Sequence, residues 1–251
     1  MTKRILIFSY GVISYAIFFI TFLYAIGFIG NVFVSKTIDG APELPLWQAL
    51  SIDALLLALF ALQHSVMARP AFKRRWTRII PESAERSTYV LASSLALIGL
   101  FVYWQPLGGM IWAAQNTALQ TVLYSLYVAG WLLVLATTFL INHFDLFGLR
   151  QVWLQLTGRA YRPLRFVTPG PYRVVRHPLY VGWLLVFWAT PTMSATHLLF
   201  AVATTLYILI AIRFEERDLA AIHPEYNAYR RAVPMLLPRV IPMRNAQTSV
   251  H

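Results

Sequence analysis

Long apolar runs decide what this chain can become. Ile5 to Val34, Leu46 to Met67, Ser87 to Trp104 and Leu119 to Ile141 each approach or exceed the roughly 20 apolar residues that carry a helix across a bilayer. A fifth apolar stretch is broken, with Leu179 to Ala189 and Ala195 to Ile212 flanking Thr190-Pro191-Thr192. Its first arm is too short to cross a core about 30 Å thick upright, so the pair predicts a helical hairpin, tilted or partly re-entrant. The first run is too long for a secretory signal and lacks a small-residue cleavage site, which makes it a retained helix. The expected fold class is an all-α polytopic membrane protein of about five to six transmembrane helices, including the C-terminal hairpin. Residues 1–141 form its four-helix region and 142–251 a C-terminal region of connection, hairpin and tail.

Charge placement then orients the chain. Only 12% of residues are charged, about half the share of a soluble domain, yet the net charge is +11. Such a balance fits nucleic acid in a soluble protein, but no long soluble segment is present here to dock a duplex. The cations sit in loops instead. With the N-terminus in the cytoplasm, Lys3 and Arg4, the loop from Arg69 to Arg86, the connection from Arg150 to Arg176 and the tail all fall on the cytoplasmic side. Only Lys36 falls outside. Both termini are therefore expected in the cytoplasm, and the connection and tail share one face. There is no cysteine, which excludes disulfides, thiolate metal sites and a cysteine nucleophile. The histidines lack metal-ligand spacing, so no metal site is expected. Nothing points to a protein partner.

Three polar stretches stand out against this background. Arg176-His177-Pro178 sits at the lip of the hairpin, with Tyr180 and Gly182 just inside. It reads either as a capped helix start or as a ligand site. Asn142-His-Phe-Asp-Leu-Phe-Gly-Leu-Arg-Gln151 ends the fourth run. It reads either as an interfacial helix end or as a small pocket in which His143 or Asp145 acts as base or orienter. Arg213, Glu215, Glu216, Arg217 and Asp218 end the hairpin, followed by Tyr226, Tyr229, Arg230 and Arg231. Adjacent carboxylates on a helix point in different directions, so at most one of the pair need face a given ligand. The tyrosine stretch reads as a short interfacial helix after Pro224. His64 lies near the cytoplasmic end of the second run, and Asp53 near its outer end needs a partner or water.

Arg176-His-Pro-x-Tyr-x-Gly182, a hairpin, Glu215-Glu216-x-x-Leu219 and Tyr226-x-x-Tyr229 together resemble the isoprenylcysteine carboxyl methyltransferase superfamily. That superfamily also includes integral-membrane phospholipid methyltransferases. Gln63-His-Ser-x-Met-Ala68 and the Asn142 to Gln151 stretch resemble its bacterial branch of methanethiol S-methyltransferases, with some similarity to NnrU-like membrane proteins. The resemblance implies S-adenosyl-L-methionine as cofactor, a cytoplasmic cofactor pocket, a small thiol as substrate and a bacterial inner membrane as location. Carried over residue by residue, it implies cofactor contacts from Tyr172, Arg176, His177, Pro178, Leu179, Tyr180 and Glu216. Leu164, Arg165, Phe166 and Val167 would line the adenosine site, and Gln151 is the upstream glutamine. Prenylcysteine enzymes place an arginine where this chain has Ile212, which argues against a carboxylate-bearing substrate.

Thiol methylation also needs the thiol's proton removed, because an alkyl thiol is mostly protonated at neutral pH. His143 and Asp145 are the candidate bases, Asn142 completes their polar set, and His64 joins them if the second run packs beside the fourth. An apolar substrate pocket is expected under Phe144, Phe147, Trp183 and Phe187. The rivals are a methyltransferase for a lipid amine or a prenylcysteine, and a non-enzymatic NnrU-like protein.

Overall fold

The computed structural model describes residues 1–239. Each long apolar run is a helix, as it must be where lipid offers the backbone no hydrogen-bond partner. They are α1 (Thr2–Gly30), α2 (Leu46–Ala68), α4 (Glu85–Tyr103), α5 (Thr117–Ile141) and α9 (Ala195–Ile222), and all five are long and apolar enough to cross a membrane. The protein is an all-α integral membrane protein. Short helices fill the connections: α3 (Pro70–Trp76) in the basic loop, α6 (His143–Leu146) and α7 (Leu149–Thr157) after α5, and α10 (Tyr226–Ala232) in the tail. The part of the C-terminal region over 240–251 lies outside the described residues.

The broken run is a hairpin, as expected. Its first arm, α8 (Pro178–Trp188), has 11 residues and so rises only about 16 Å. It still reaches the far side, because its start is sunk. Gly182 meets Gly130 of α5 so closely that a Cβ on Gly182 would sit 2.9 Å from the Gly130 carbonyl oxygen and 3.0 Å from the Val134 nitrogen. The helices run antiparallel, so His177 lies about one turn short of the end of α5 at Ile141. At the other end, β2 (Thr192–Ser194) pairs antiparallel with β1 (Met110–Ala113), the strand leading into α5. This one small two-stranded ribbon ties the hairpin turn to the uncharged α4–α5 loop.

α9 runs ten residues past the expected end at Ile212, through both acids to Ile222. Ser194 caps its other end by accepting from the His197 backbone N–H at 3.0 Å. The central core joins α1, α4, α5, α8 and α9 through aromatic contacts such as Phe22–Trp131, Trp131–Trp183 and Phe187–Phe200. Asp53 has its partner: one carboxylate oxygen accepts the Gln105 backbone N–H at 2.9 Å.

Candidate functional site

Pro178 opens α8, and the backbone N–H groups just before it have no partner within the helix. The tail takes up those groups, and α9 takes up the side chains beside them. Arg176 Nε donates to Glu216 Oε1 at 2.7 Å, and His177 Nε2 lies 3.0 Å from the same oxygen. Tyr180, one turn on, donates its hydroxyl to Glu215 at 2.9 Å. The two adjacent acids thus both bond the same segment. They diverge by one residue's rotation on α9, and the α8 start is wide enough to meet both.

The tail closes over this pairing. Arg176 Nη1 donates to the carbonyls of Arg230 at 3.0 Å and Val233 at 2.6 Å. The backbone N–H groups of Arg176 and His177 donate to Pro234 and Met235. Tyr229 donates to the Tyr172 carbonyl at 2.5 Å. Phe166 packs its ring against His223, Tyr226 and Tyr229, at centroid distances of 5.5 to 5.7 Å. Burial pushes the Tyr229 hydroxyl up to about 12, and burial raises Tyr172 and Tyr226 as well. All three remain protonated donors at neutral pH. The Tyr226 hydroxyl is buried and has no hydrogen-bond partner among the described residues. A buried orphan donor beside two carboxylates and an aromatic face suits a polar, flat ligand. The residues present therefore fit an adenosine-bearing cofactor.

A second polar cluster follows α5. Asn142 caps α6, its side-chain oxygen accepting the Asp145 backbone N–H at 3.0 Å. Asp145 is bound to Arg150 at 2.7 Å and accepts from Tyr161 at 3.3 Å. Gln151 donates to the Asp145 carbonyl at 3.1 Å, while its own carbonyl oxygen is buried without a partner among the described residues. His143 lies between Tyr15 and Thr138, each hydroxyl 2.8 Å from a ring nitrogen, and stacks on Phe139 at 4.2 Å. Burial holds its pKa below the ordinary value, so the ring is neutral at neutral pH.

The phospholipid methyltransferase family model matches residues 104–225, from the end of α4 through α9. The chain is 57% identical to a methanethiol S-methyltransferase of Crocosphaera subtropica over 94% of this chain and 93% of that one. It is 51% identical to another of Mycobacterium tuberculosis, over 94% and 97%. The chain belongs to the methanethiol S-methyltransferase family. Nurim of Rattus norvegicus is also similar, at 34% identity over 68% of each chain. No solved structure matches.

Within this methanethiol S-methyltransferase family member, the structure gathers Phe166, Tyr172, Arg176, His177, Pro178, Tyr180 and Glu216 around one point. Leu179 is half-buried beside them, while Leu164, Arg165 and Val167 are exposed. Gln151 joins the Asp145 cluster instead. His64 does not join His143: its helix packs on α4, and its polar partners are Tyr89 and Ser93. α5, which leads into His143, packs mainly on α8. The four aromatics expected over a substrate pocket take different places. Phe144 is 52% exposed, Phe147 stacks on Phe18 at 4.0 Å, and Trp183 and Phe187 stack on each other in the core. An apolar groove of about 380 Å³ does exist between α5, α8 and the tail, lined by Leu126, Val181, Leu185, Trp188 and Leu236, with Val181 next to Tyr180. Sequence reasoning missed the carbonyls of Arg230 and Val233 to Met235, which are backbone groups with no sequence signal. It also set Glu215 aside, although the Glu-Glu pair had been noticed.

Proposed function

We propose that this chain methylates a small thiol, methanethiol in the names of its relatives, to a thioether, dimethyl sulfide, with S-adenosyl-L-methionine as methyl donor. The observation that carries the reading is the tie between the α8 start and both acids of α9, roofed by the aromatics of the tail. When bound, the donor supplies an electrophilic methyl group on a positively charged sulfur. Glu215, whose side chain is 45% exposed, has lone pairs left over to accept ribose hydroxyls or to offset that positive charge. Phe166, Tyr226 and Tyr229 offer faces for the adenine, and Tyr226 has a free hydroxyl to donate. Arg176 and His177 hold Glu216 in place and so fix the floor of the pocket.

In-line displacement needs no covalent enzyme intermediate, so positioning supplies much of the rate. Ile212, at the position where a carboxylate-binding arginine would stand, is 1% exposed, and Arg213 beside it points outward. That favours a substrate without a carboxylate over a prenylcysteine. The excess of Lys and Arg on one side supports cytoplasmic termini in a bacterial inner membrane; a reporter fused to each terminus tests this by its folding side. For the cofactor, calorimetry on detergent-solubilised protein should detect binding that Glu216→Ala abolishes. Unchanged binding in that variant removes Glu216 from the site.

A further inference from the structure

The polar stretch from Asn142 to Gln151, which follows α5, is left without a task by the pocket described above. Its polar side chains converge on Asp145. The Asn142 side-chain oxygen accepts the Asp145 backbone N–H at 3.0 Å, and Gln151 donates to the Asp145 carbonyl at 3.1 Å. One carboxylate oxygen of Asp145 takes Arg150 at 2.7 Å, and the other accepts from the Tyr161 hydroxyl at 3.3 Å. Arg150 reaches further. Its Nη2 donates to the Arg162 carbonyl at 3.2 Å, and its guanidinium carbon lies 5.2 Å from the centre of the Tyr161 ring. This brace stands on the bundle, because Val152 of α7 is buried against Gly11 of α1.

The brace holds the connection that follows it. Residues 159–169 form neither helix nor strand, and 159–165 are exposed throughout. Such a segment has no core of its own to fix it. It is tied at Tyr161 and Arg162 by the brace, and at Phe166 by the rings of His223, Tyr226 and Tyr229. Arg162 and Phe166 are four residues apart, so their Cα atoms lie within about 14 Å of each other however the chain runs. The brace and the aromatic face are therefore neighbours.

Asp145 is a candidate base by residue type, but its geometry gives it another task. Both of its oxygens are engaged, and their partners lead to Tyr161 and Arg162 rather than to Tyr180 or Glu216. We propose that Asp145 and Arg150 are positioning residues for the cofactor: they pin Tyr161 and Arg162 and so hold Phe166 against Tyr226 and Tyr229, ready to take the adenine. This rests on the reading that the adenine lies on those rings. Ordering a loose segment at the moment of binding subtracts from affinity, whereas a segment ordered beforehand does not. The brace thus sets how tightly the methyl donor is held without touching it.

The test uses full-length protein in detergent or lipid nanodiscs, with S-adenosylmethionine as the probe. By calorimetry, Arg150→Gln should raise the dissociation constant about 5- to 30-fold, the equivalent of one backbone residue left for the cofactor to order. Phe166→Ala should raise it too. The double variant should bind no worse than the weaker single, because both changes remove the same wall. Trypsin supplies a readout without turnover. Cleavage after Arg159 and Arg165 should quicken in Arg150→Gln and slow again when S-adenosylmethionine is saturating. Tyr161→Phe removes one tie at a position 43% exposed, and should shift affinity and cleavage in the same direction by less. Asp145→Asn separates positioning from proton transfer: its loss should lie in the KM for S-adenosylmethionine and be equal at neutral and alkaline pH. A loss that lies in kcat at saturating cofactor and shrinks as pH rises would make Asp145 the base and overturn the proposal. Wild-type affinity or wild-type cleavage in Arg150→Gln, or additive losses in the double variant, would overturn it while leaving the cofactor reading intact. A wild type that binds no S-adenosylmethionine overturns the cofactor reading first, and this proposal with it.

Discussion

At the scale of single residues, Arg176 has the most to lose. Its guanidinium joins α8 to α9 through Glu216 and to the tail through two carbonyls. Hydrogen bonds involving charged groups contribute about 1.5–3 kcal/mol each, so Arg176→Ala should weaken cofactor binding by roughly one to two decades. It should also speed proteolysis of the tail, and a variant cleaved at the wild-type rate would show that the tail is held by other contacts. His143 carries a different prediction. Its folded-state pKa is depressed by burial, so its contribution to stability is complete above the unfolded value of about 6.5 and is lost as pH falls through the folded value. The thermal midpoint of wild type should therefore fall on acidification, and His143→Gln should flatten part of that slope. Parallel curves would contradict the assignment. The residues of the pocket were readable from the sequence because Arg-His-Pro, Glu-Glu and the paired tyrosines are side-chain patterns. Their partners at Arg230, Val233, Pro234 and Met235 act through backbone atoms, which leave no mark on residue identity.

Between elements, the close approach of α5 and α8 decides where the site sits. Gly130 and Gly182 allow the two helices to touch backbone to backbone, as small residues do within membranes. Gly182→Ala would place a Cβ 2.8 Å from Val134 Cγ2 and 2.9 Å from the Gly130 oxygen. Because two of its three nearest contacts are backbone atoms, the helix itself must shift. The expected cost is about 1–3 kcal/mol of stability, seen as a lowered thermal midpoint. Cofactor affinity should fall as well, since Tyr180 lies on the same helix; affinity that holds while stability drops would place the pocket beyond the reach of this contact. Helix existence was legible from hydropathy, whereas helix ends were not. α9 continues through Arg213 to Asp218 because ion pairs such as Arg69–Asp218 and Arg176–Glu216 satisfy its charges against neighbouring elements. Sequence alone offers no view of those partners. α7 was read as connection, although its Val152 is buried against Gly11 of α1.

For the whole molecule, five spanning helices and one short arm place the Arg176–Glu216 pairing about one turn inside one end of the bundle. The polar group of α2 and α4 lies about one turn inside the same end, since His64 is four residues from the end of α2 and Tyr89 four from the start of α4. The polar contacts of α2 were hard to read from the sequence. Tyr89, Ser93 and Tyr207 are polar residues spread over two apolar runs, and only packing brings them to His64 and Ser65. His64 joins His143 only if the second run packs beside the fourth, and helix order does not say which helices touch. The most direct measurement supplies purified protein with methyl-labelled S-adenosylmethionine and methanethiol and collects the headspace gas. Labelled dimethyl sulfide should form with wild type and not with Glu216→Ala. A folded wild-type protein that labels no small thiol, or that labels lipid instead, would contradict the account.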